Sequence, residues 1–139
     1  MSSTMIVRGE PSVQPLKDSI RLCPGLGILK NIIIDQHFTQ RARLTRLITA
    51  IAYNPGNLGI GIDENTAIHI TKEGVLEVLG AGTVTIIDGS KISYNTIAEA
   101  HESEPFSVMG LQVNILSRGV RYNIFSRKQL EVIGDFSQL

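Results

Sequence analysis

The chain has 139 residues, 42% hydrophobic and 19% charged, with 13 basic side chains against 13 acidic ones. That is about one domain's length, and the neutral balance argues against nucleic acid or an anionic membrane as main partner, because phosphate-backbone binding draws on surplus Lys and Arg. No apolar run approaches the roughly 18 residues that span a bilayer, and the single cysteine, Cys23, excludes an internal disulfide framework and fits a reducing cytosol.

With no Trp and 5% aromatics, base-stacking platforms and aromatic sugar clefts are poor expectations. Met1 to Met5 has neither a charged n-region nor an apolar h-region, so no signal peptide is visible and a cytoplasmic location is expected. The first thirty residues read as a loop. Gly9-Glu10-Pro11, Gln14-Pro15 and Cys23-Pro24-Gly25 are turn chemistry, with Leu16, Ile20 and Leu22 as scattered apolar anchors.

Ile32-Ile33-Ile34 is a short β-branched run that suits a strand buried on both faces. It breaks off at Asp35-Gln36-His37-Phe38. Leu44, Leu47, Ile48 and Ile51 then fall on one helical face, and Asn54-Pro55-Gly56 stops the helix. A polar junction between a strand's carboxyl end and a helix is where ligands sit in open α/β sheets.

Beyond residue 57 the chain reads as mostly strand. Leu58 to Ile62 and Thr66 to Ile70 flank Asp63-Glu64-Asn65, and Val75 to Leu79 and Thr83 to Ile87 flank Gly80-Ala81-Gly82. Thr96 to Glu104 reads as a polar or helical stretch, Val108 to Leu116 and Val120 to Phe125 as a hairpin about Ser117-Arg118-Gly119, and the tail after Gln129 carries no signal. One strand-helix unit followed by many short strands makes an odd complete α/β domain. The strand at 32–34 wants parallel neighbours that the sequence does not obviously supply.

The densest cluster of reactive side chains runs from Asp35 to Leu47. A histidine held at the end of a rigid strand can take and return a proton near neutrality, and arginines beside it can hold carboxylates. The bland alternatives are a hydrogen-bonded junction histidine and a solvated basic face. On the helical wheel Arg41 and Arg43 flank the apolar face while Arg46 points largely away from it. Gly59 and Gly61 within an apolar strand suggest close backbone approach, and Asp63 or Glu64 could orient an imidazole; a plain hairpin turn is the alternative. Ser2 and Ser3 read as a solvated terminus, Cys23 as an incidental thiol in a loop, His69 and His101 as structural or solvated.

Together, Ile34-Asp35-Gln36-His37-Phe38 with Gln40-Arg41, Arg43 and Arg46-Leu47, followed by Gly59-Ile60-Gly61-Ile62-Asp63-Glu64 and Thr66-Ala67, resemble the cyanophycinases, serine peptidases related to the aspartyl dipeptidases. The likeness extends over nearly the whole chain. It implies an α/β fold, the C-terminal part of a class I glutamine-amidotransferase-like sandwich, with residues 1–139 forming the C-terminal portion of one domain. It also implies hydrolysis of cyanophycin, an arginine-substituted poly-aspartate, to β-aspartyl-arginine dipeptides, with no metal or organic cofactor. His37 would be the general base and Glu64 the acid that orients it. Asp35, Gln36, Arg41, Arg43 and Arg46 would form the substrate pocket, with Asp35 meeting a substrate cation.

One departure stands out: the family's serine lies in a Gly-x-Ser-x-Gly nucleophile elbow, and the sequence contains no such motif. The expectation is a chain that lacks its nucleophile, is inactive alone, and needs an elbow-bearing half in trans. The expected partners are therefore cyanophycin or an aspartate/arginine-rich peptide, that N-terminal half, and a second copy in a homodimer. A non-catalytic protein that binds aspartate-rich polymer or a partner subunit is the rival reading, and a decayed fragment without a stable fold is the third.

Overall fold

The computed structural model describes residues 2–9 and 12–130. Met1, Glu10, Pro11 and the tail from residue 131, which carried no signal in the sequence, lie outside the described residues. In chain order the elements are β1 (Thr4–Gly9), β2 (Ile20–Pro24), β3 (Ile32–Gln36), a 3₁₀ turn (Thr39–Arg41), α1 (Leu44–Tyr53), β4 (Leu58–Ile62), β5 (Thr66–Ile70), β6 (Val75–Gly80), β7 (Val84–Asp88), β8 (Tyr94–Asn95), β9 (Val108–Met109), β10 (Gln112–Leu116), β11 (Arg121–Asn123) and β12 (Lys128–Gln129). The fold is α/β and strand-rich, with one α-helix and several sheets.

β3, α1 and β4 form the strand-helix-strand unit around which the rest is arranged. β4 runs parallel to β3, with Ile32 opposite Leu58 and Ile34 opposite Ile60, so the strand expected to lack a parallel neighbour has one within the chain. β7 and β10 extend this sheet antiparallel, in the order β10-β7-β4-β3. A second four-stranded sheet, β12-β11-β6-β5, is antiparallel throughout.

Side-chain alternation assigns each face. Ile32, Leu58, Ile60, Val84 and Ile86 point from the mixed sheet toward Leu76, Val78 and Tyr122 of the second sheet and form the core between the layers. The intervening residues face the other way. Ile33 and Ile87 pack with Phe38 and with Leu47, Ala50 and Ile51 of α1. Gly59 and Gly61 lie on this helix side, where the missing side chains let α1 and Phe38 approach the strand backbone.

Several expectations are corrected. The first thirty residues are not a loop: β1 and β2 pair antiparallel, and Ile6, Ile20 and Leu22 pack on the helix-side core. Turn residues at the flanks obscured an alternation interrupted by a bulge between Ile6 and Arg8. Asp63-Glu64-Asn65 is not a hairpin turn, because β4 and β5 lie in different sheets; β6 and β7 likewise part at Gly80-Ala81-Gly82. The last expected hairpin divides in the same way, β10 pairing with β7 and β11 with β6. Turn residues encode a reversal of the chain, whereas the apolar faces choose the sheet that receives the next strand. Residues 96–104 form turns rather than a helix. No helix among the described residues is long and apolar enough to cross a membrane.

A Cβ at Gly61 would fall on the ring of buried Phe38, whereas one at Gly56 would meet nothing within 4 Å. Gly61→Ala is therefore expected to lower stability by about 1–3 kcal/mol, the usual cost of overpacking. Gly56→Ala should leave it near wild type, with urea unfolding as the measurement.

Candidate active site

β3 ends at Gln36, and the chain turns without a glycine: His37 itself adopts the left-handed conformation, φ 50°. A non-glycine residue held there is strained and needs support from its surroundings. Phe38 supplies part of it, burying its ring and donating its N–H to the carbonyl of Ile62 at 3.1 Å. In the following 3₁₀ turn, Thr39 donates its N–H and hydroxyl to Asp63 Oδ1 at 3.0 and 2.5 Å. Gln40 Oε1 accepts the Glu64 N–H at 3.1 Å.

This lacing sets the β3 turn beside the β4–β5 turn. His37 Nδ1 lies 3.1 Å from Glu64 Oε1, with the two side chains 48% and 47% exposed. When Nδ1–H donates to that carboxylate, Nε2 is left as the proton acceptor. Both residues line a 370 Å³ cleft with Gln36, Ile62, Thr66 and Ile68.

Between the two acids considered for the imidazole, the geometry discriminates. Glu64 meets His37, while Asp63 is turned inward, its second oxygen accepting the N–H and hydroxyl of Thr83 at 3.1 and 2.7 Å. Burial pushes the Asp63 carboxyl up, but the hydrogen bonds from Thr39 and Thr83 outweigh it and hold the group below the ordinary carboxylate range. The sequence assigned no role to Thr39, Gln40 or Thr83. A hydroxyl 20 positions beyond its acceptor leaves no local signal.

The arginine cluster divides. Arg46 does not point away from the packed side of α1: it is buried, donating Nε to Asp35 Oδ2 at 2.7 Å, Nη2 to Oδ1 at 2.5 Å, and Nη1 to the Gly9 carbonyl at 2.9 Å. The wheel located one apolar face, but the β1–β2 ribbon covers a second. Arg43 joins from the helix start, donating to Asp35 Oδ1 at 3.2 Å and to the Gln36 carbonyl. Burial and the neighbouring Arg46 charge lower the Arg43 guanidinium from its ordinary value, with Asp35 opposing them.

The Asp35 carboxylate, expected to meet a substrate cation, is thus enclosed by two arginines of its own chain. Arg41 stands apart, exposed and without an ion pair among the described residues. A 290 Å³ cleft borders the cluster, lined by Ile34, Asp35, Gln36, Arg43 and Arg46 together with Ser2. Gln36 lines both this cleft and that of His37. Ser2 is buried rather than solvated, its hydroxyl donating to the Thr4 carbonyl at 2.6 Å. Cys23 lies in β2 rather than in a loop, and His69 and His101 are exposed. Among the described residues, no group of three His, Cys, Asp or Glu side chains could hold a metal ion.

Residues 2–78, which include both clusters, match the family model of peptidase family S51. The cyanophycinase of Synechococcus elongatus is 43% identical over 124 residues, 89% of this chain and 38% of that protein. The cyanophycinase of Trichormus variabilis is 38% identical over 133 residues, 96% of this chain and 45% of that one. That of Geminocystis herdmanii is 40% identical over 123 residues, 88% and 45% respectively. The chain spans less than half the length of these curated relatives.

A carboxyl held low in the folded state adds stability above its unfolded value, about 3.9 for aspartate, and loses it as pH falls through the lower folded value. Asp63→Asn should therefore be less stable at neutral pH and lose less stability on acidification below about pH 4. Asp88, also held low, retains part of the slope; unfolding free energies across that range measure the difference. Arg46→Met should cost about 3–5 kcal/mol by leaving a buried carboxylate underpaired. Combined with Asp35→Leu, it should cost less than the sum of the single changes, as read from a double-mutant cycle.

Proposed function

We propose that this chain, which belongs to peptidase family S51, supplies the base, its orienting acid and part of the substrate pocket of a cyanophycinase-type serine peptidase, cleaving cyanophycin to β-aspartyl-arginine dipeptides. The observation that carries the reading is the 3.1 Å contact between His37 Nδ1 and Glu64 on the rim of an open cleft. Membership of the family and its cyanophycinase relatives favour the same chemistry. The parallel β3–β4 pair joined through α1 is compatible with the glutamine-amidotransferase-like sandwich that we assign to the whole enzyme.

In this mechanism His37 Nε2 takes the proton of a seryl hydroxyl as its oxygen attacks the scissile carbonyl. The imidazolium, stabilised by Glu64, then protonates the leaving amine. Water repeats the sequence on the acyl-enzyme: His37 takes its proton and returns it to the serine. These 139 residues contain no Gly-x-Ser-x-Gly, so in the proposal the nucleophile comes from polypeptide outside this sequence, continuous with it or in trans. Gln36, Arg41 and the unengaged donors of Arg43 meet the carboxylates of the substrate; Asp35 and Arg46 hold Arg43 in place. We place the enzyme in the cytosol, a setting that suits the single cysteine of these 139 residues.

The test mixes the chain with cyanophycin, with and without an elbow-bearing segment, and follows dipeptide release. Release is expected only from the combination. His37→Ala in that combination should lower the rate by about 10²–10⁴-fold, the usual contribution of a general base. Dipeptide release by the chain alone, or full activity of the complemented His37→Ala variant, would overturn the reading. Retention of polymer without release by the combination would favour a non-catalytic binding protein.

A further inference from the structure

We propose that the β1–β2 ribbon carries a second site, which binds an oxyanion between Arg8 and Arg21. The two arginines are direct cross-strand partners, and both are exposed. Like charges directly opposite on paired strands destabilise the pairing. Among the described residues neither forms an ion pair that would relieve it.

The juxtaposition depends on an irregularity in the ribbon. Ile6 pairs with Leu22, and both pack on the helix-side core; in regular pairing Arg8, two residues on, would share that inward face. The register shift between Ile6 and Arg8 inserts Val7 as an extra residue, and Arg8 instead pairs with Arg21, on the face away from Ile20 and Leu22. A bulge of this kind re-aims a side chain. Here it directs the second guanidinium to the same place as the first.

That place is a 660 Å³ cavity lined by Arg8, Arg21, Gly9, Ser12, Ser19 and Asp18. Two guanidinium forks match the paired oxygens of a carboxylate or phosphate. Among the described residues, Asp18 is the opposing charge on the wall. One of its oxygens accepts the Tyr53 hydroxyl at 3.1 Å, and it favours a ligand that carries a positive group beside its anion. The Gly9 carbonyl is held by Arg46, so the cavity wall is anchored to the buried Asp35 pair. His37 and Glu64 line a different cleft and take no part.

The same oxyanion chemistry is offered by the carboxylates of an acidic peptide and by free phosphate, and two arms separate them. Labelled oligo-aspartate is titrated into the full chain by fluorescence anisotropy, and inorganic phosphate is tested as competitor and as stabiliser against heat. Arg8→Gln and Arg21→Gln should each weaken binding of the preferred probe by about tenfold, the scale of a lost charge-assisted hydrogen bond. Arg118→Gln, in an exposed turn, should not. The losses in Arg8→Gln and Arg21→Gln should persist in an Arg41→Gln background, which separates this site from the proposed substrate pocket, where Arg41 meets carboxylates.

Arg21→Glu should abolish binding and raise the midpoint of thermal unfolding, because it turns a repulsive pair into an attractive one. Equal affinity of wild type and the two glutamine variants, equal losses in Arg118→Gln, or a lowered midpoint for Arg21→Glu would each overturn the proposal.

Discussion

The candidate site depends on one carboxylate that takes no part in the proposed chemistry. Asp63 accepts an N–H and a hydroxyl from each of Thr39 and Thr83, and so ties together the turn after β3, the turn after β4 and the crossing from β6 to β7. Each of these segments adjoins the mixed sheet at the same end. Without the tie their relative positions would rest on the Phe38 and Gln40 contacts and on the backbone bonds of Asp63, Ala81 and Gly82 to Thr83, Asn65 and Thr66. The bonds are charge-assisted and shielded, the circumstances in which a hydrogen bond contributes most, roughly 1.5–3 kcal/mol.

A second buried carboxylate does the same for the outer layer. Asp35 holds Arg46 by two oxygens, and Arg46 passes the connection on to the Gly9 carbonyl, joining β3, α1 and the β1–β2 ribbon at one point. Such an ion pair gives little net stability over an apolar substitute, since both charges are desolvated. Its value is positional. It fixes where α1 begins relative to the end of β3, and with that the direction in which Arg43 leaves the helix.

The parts of this arrangement that were legible in the sequence are those written in local periodicity. Ile32 to Ile34 and the spacing of Leu47 and Ile51 located the strand and helix, and Gly59 and Gly61 marked the close approach that Phe38 and α1 exploit. The distribution of strands between two sheets was not legible, because the apolar residues of β4, β6 and β7 suit a buried strand of either sheet. The ribbon was missed because a bulge interrupts its period and turn residues surround it. Arg46 was misplaced for a related reason: a wheel identifies a stripe of apolar side chains, whereas a buried arginine paired to a carboxylate 11 residues earlier lies outside that stripe. The choice between Asp63 and Glu64 required the partners from Thr39 and Thr83, which no spacing announces.

Magnitudes decide what keeps His37 in place. Its contact with Glu64 is about half exposed on both sides, and ion pairs in that environment contribute roughly 0–1 kcal/mol. A left-handed non-glycine backbone costs about 1–3 kcal/mol. The visible pair is therefore too weak to hold the histidine in its strained conformation, and Glu64 is better understood as selecting the ring's orientation once the backbone is set. The conformation itself is imposed from the two residues that follow, Phe38 packed on Gly61 and Thr39 anchored to Asp63. Exposure then becomes the controllable variable: any chain or substrate that covers the cleft removes water from the His37–Glu64 contact and strengthens it without moving an atom of the scaffold.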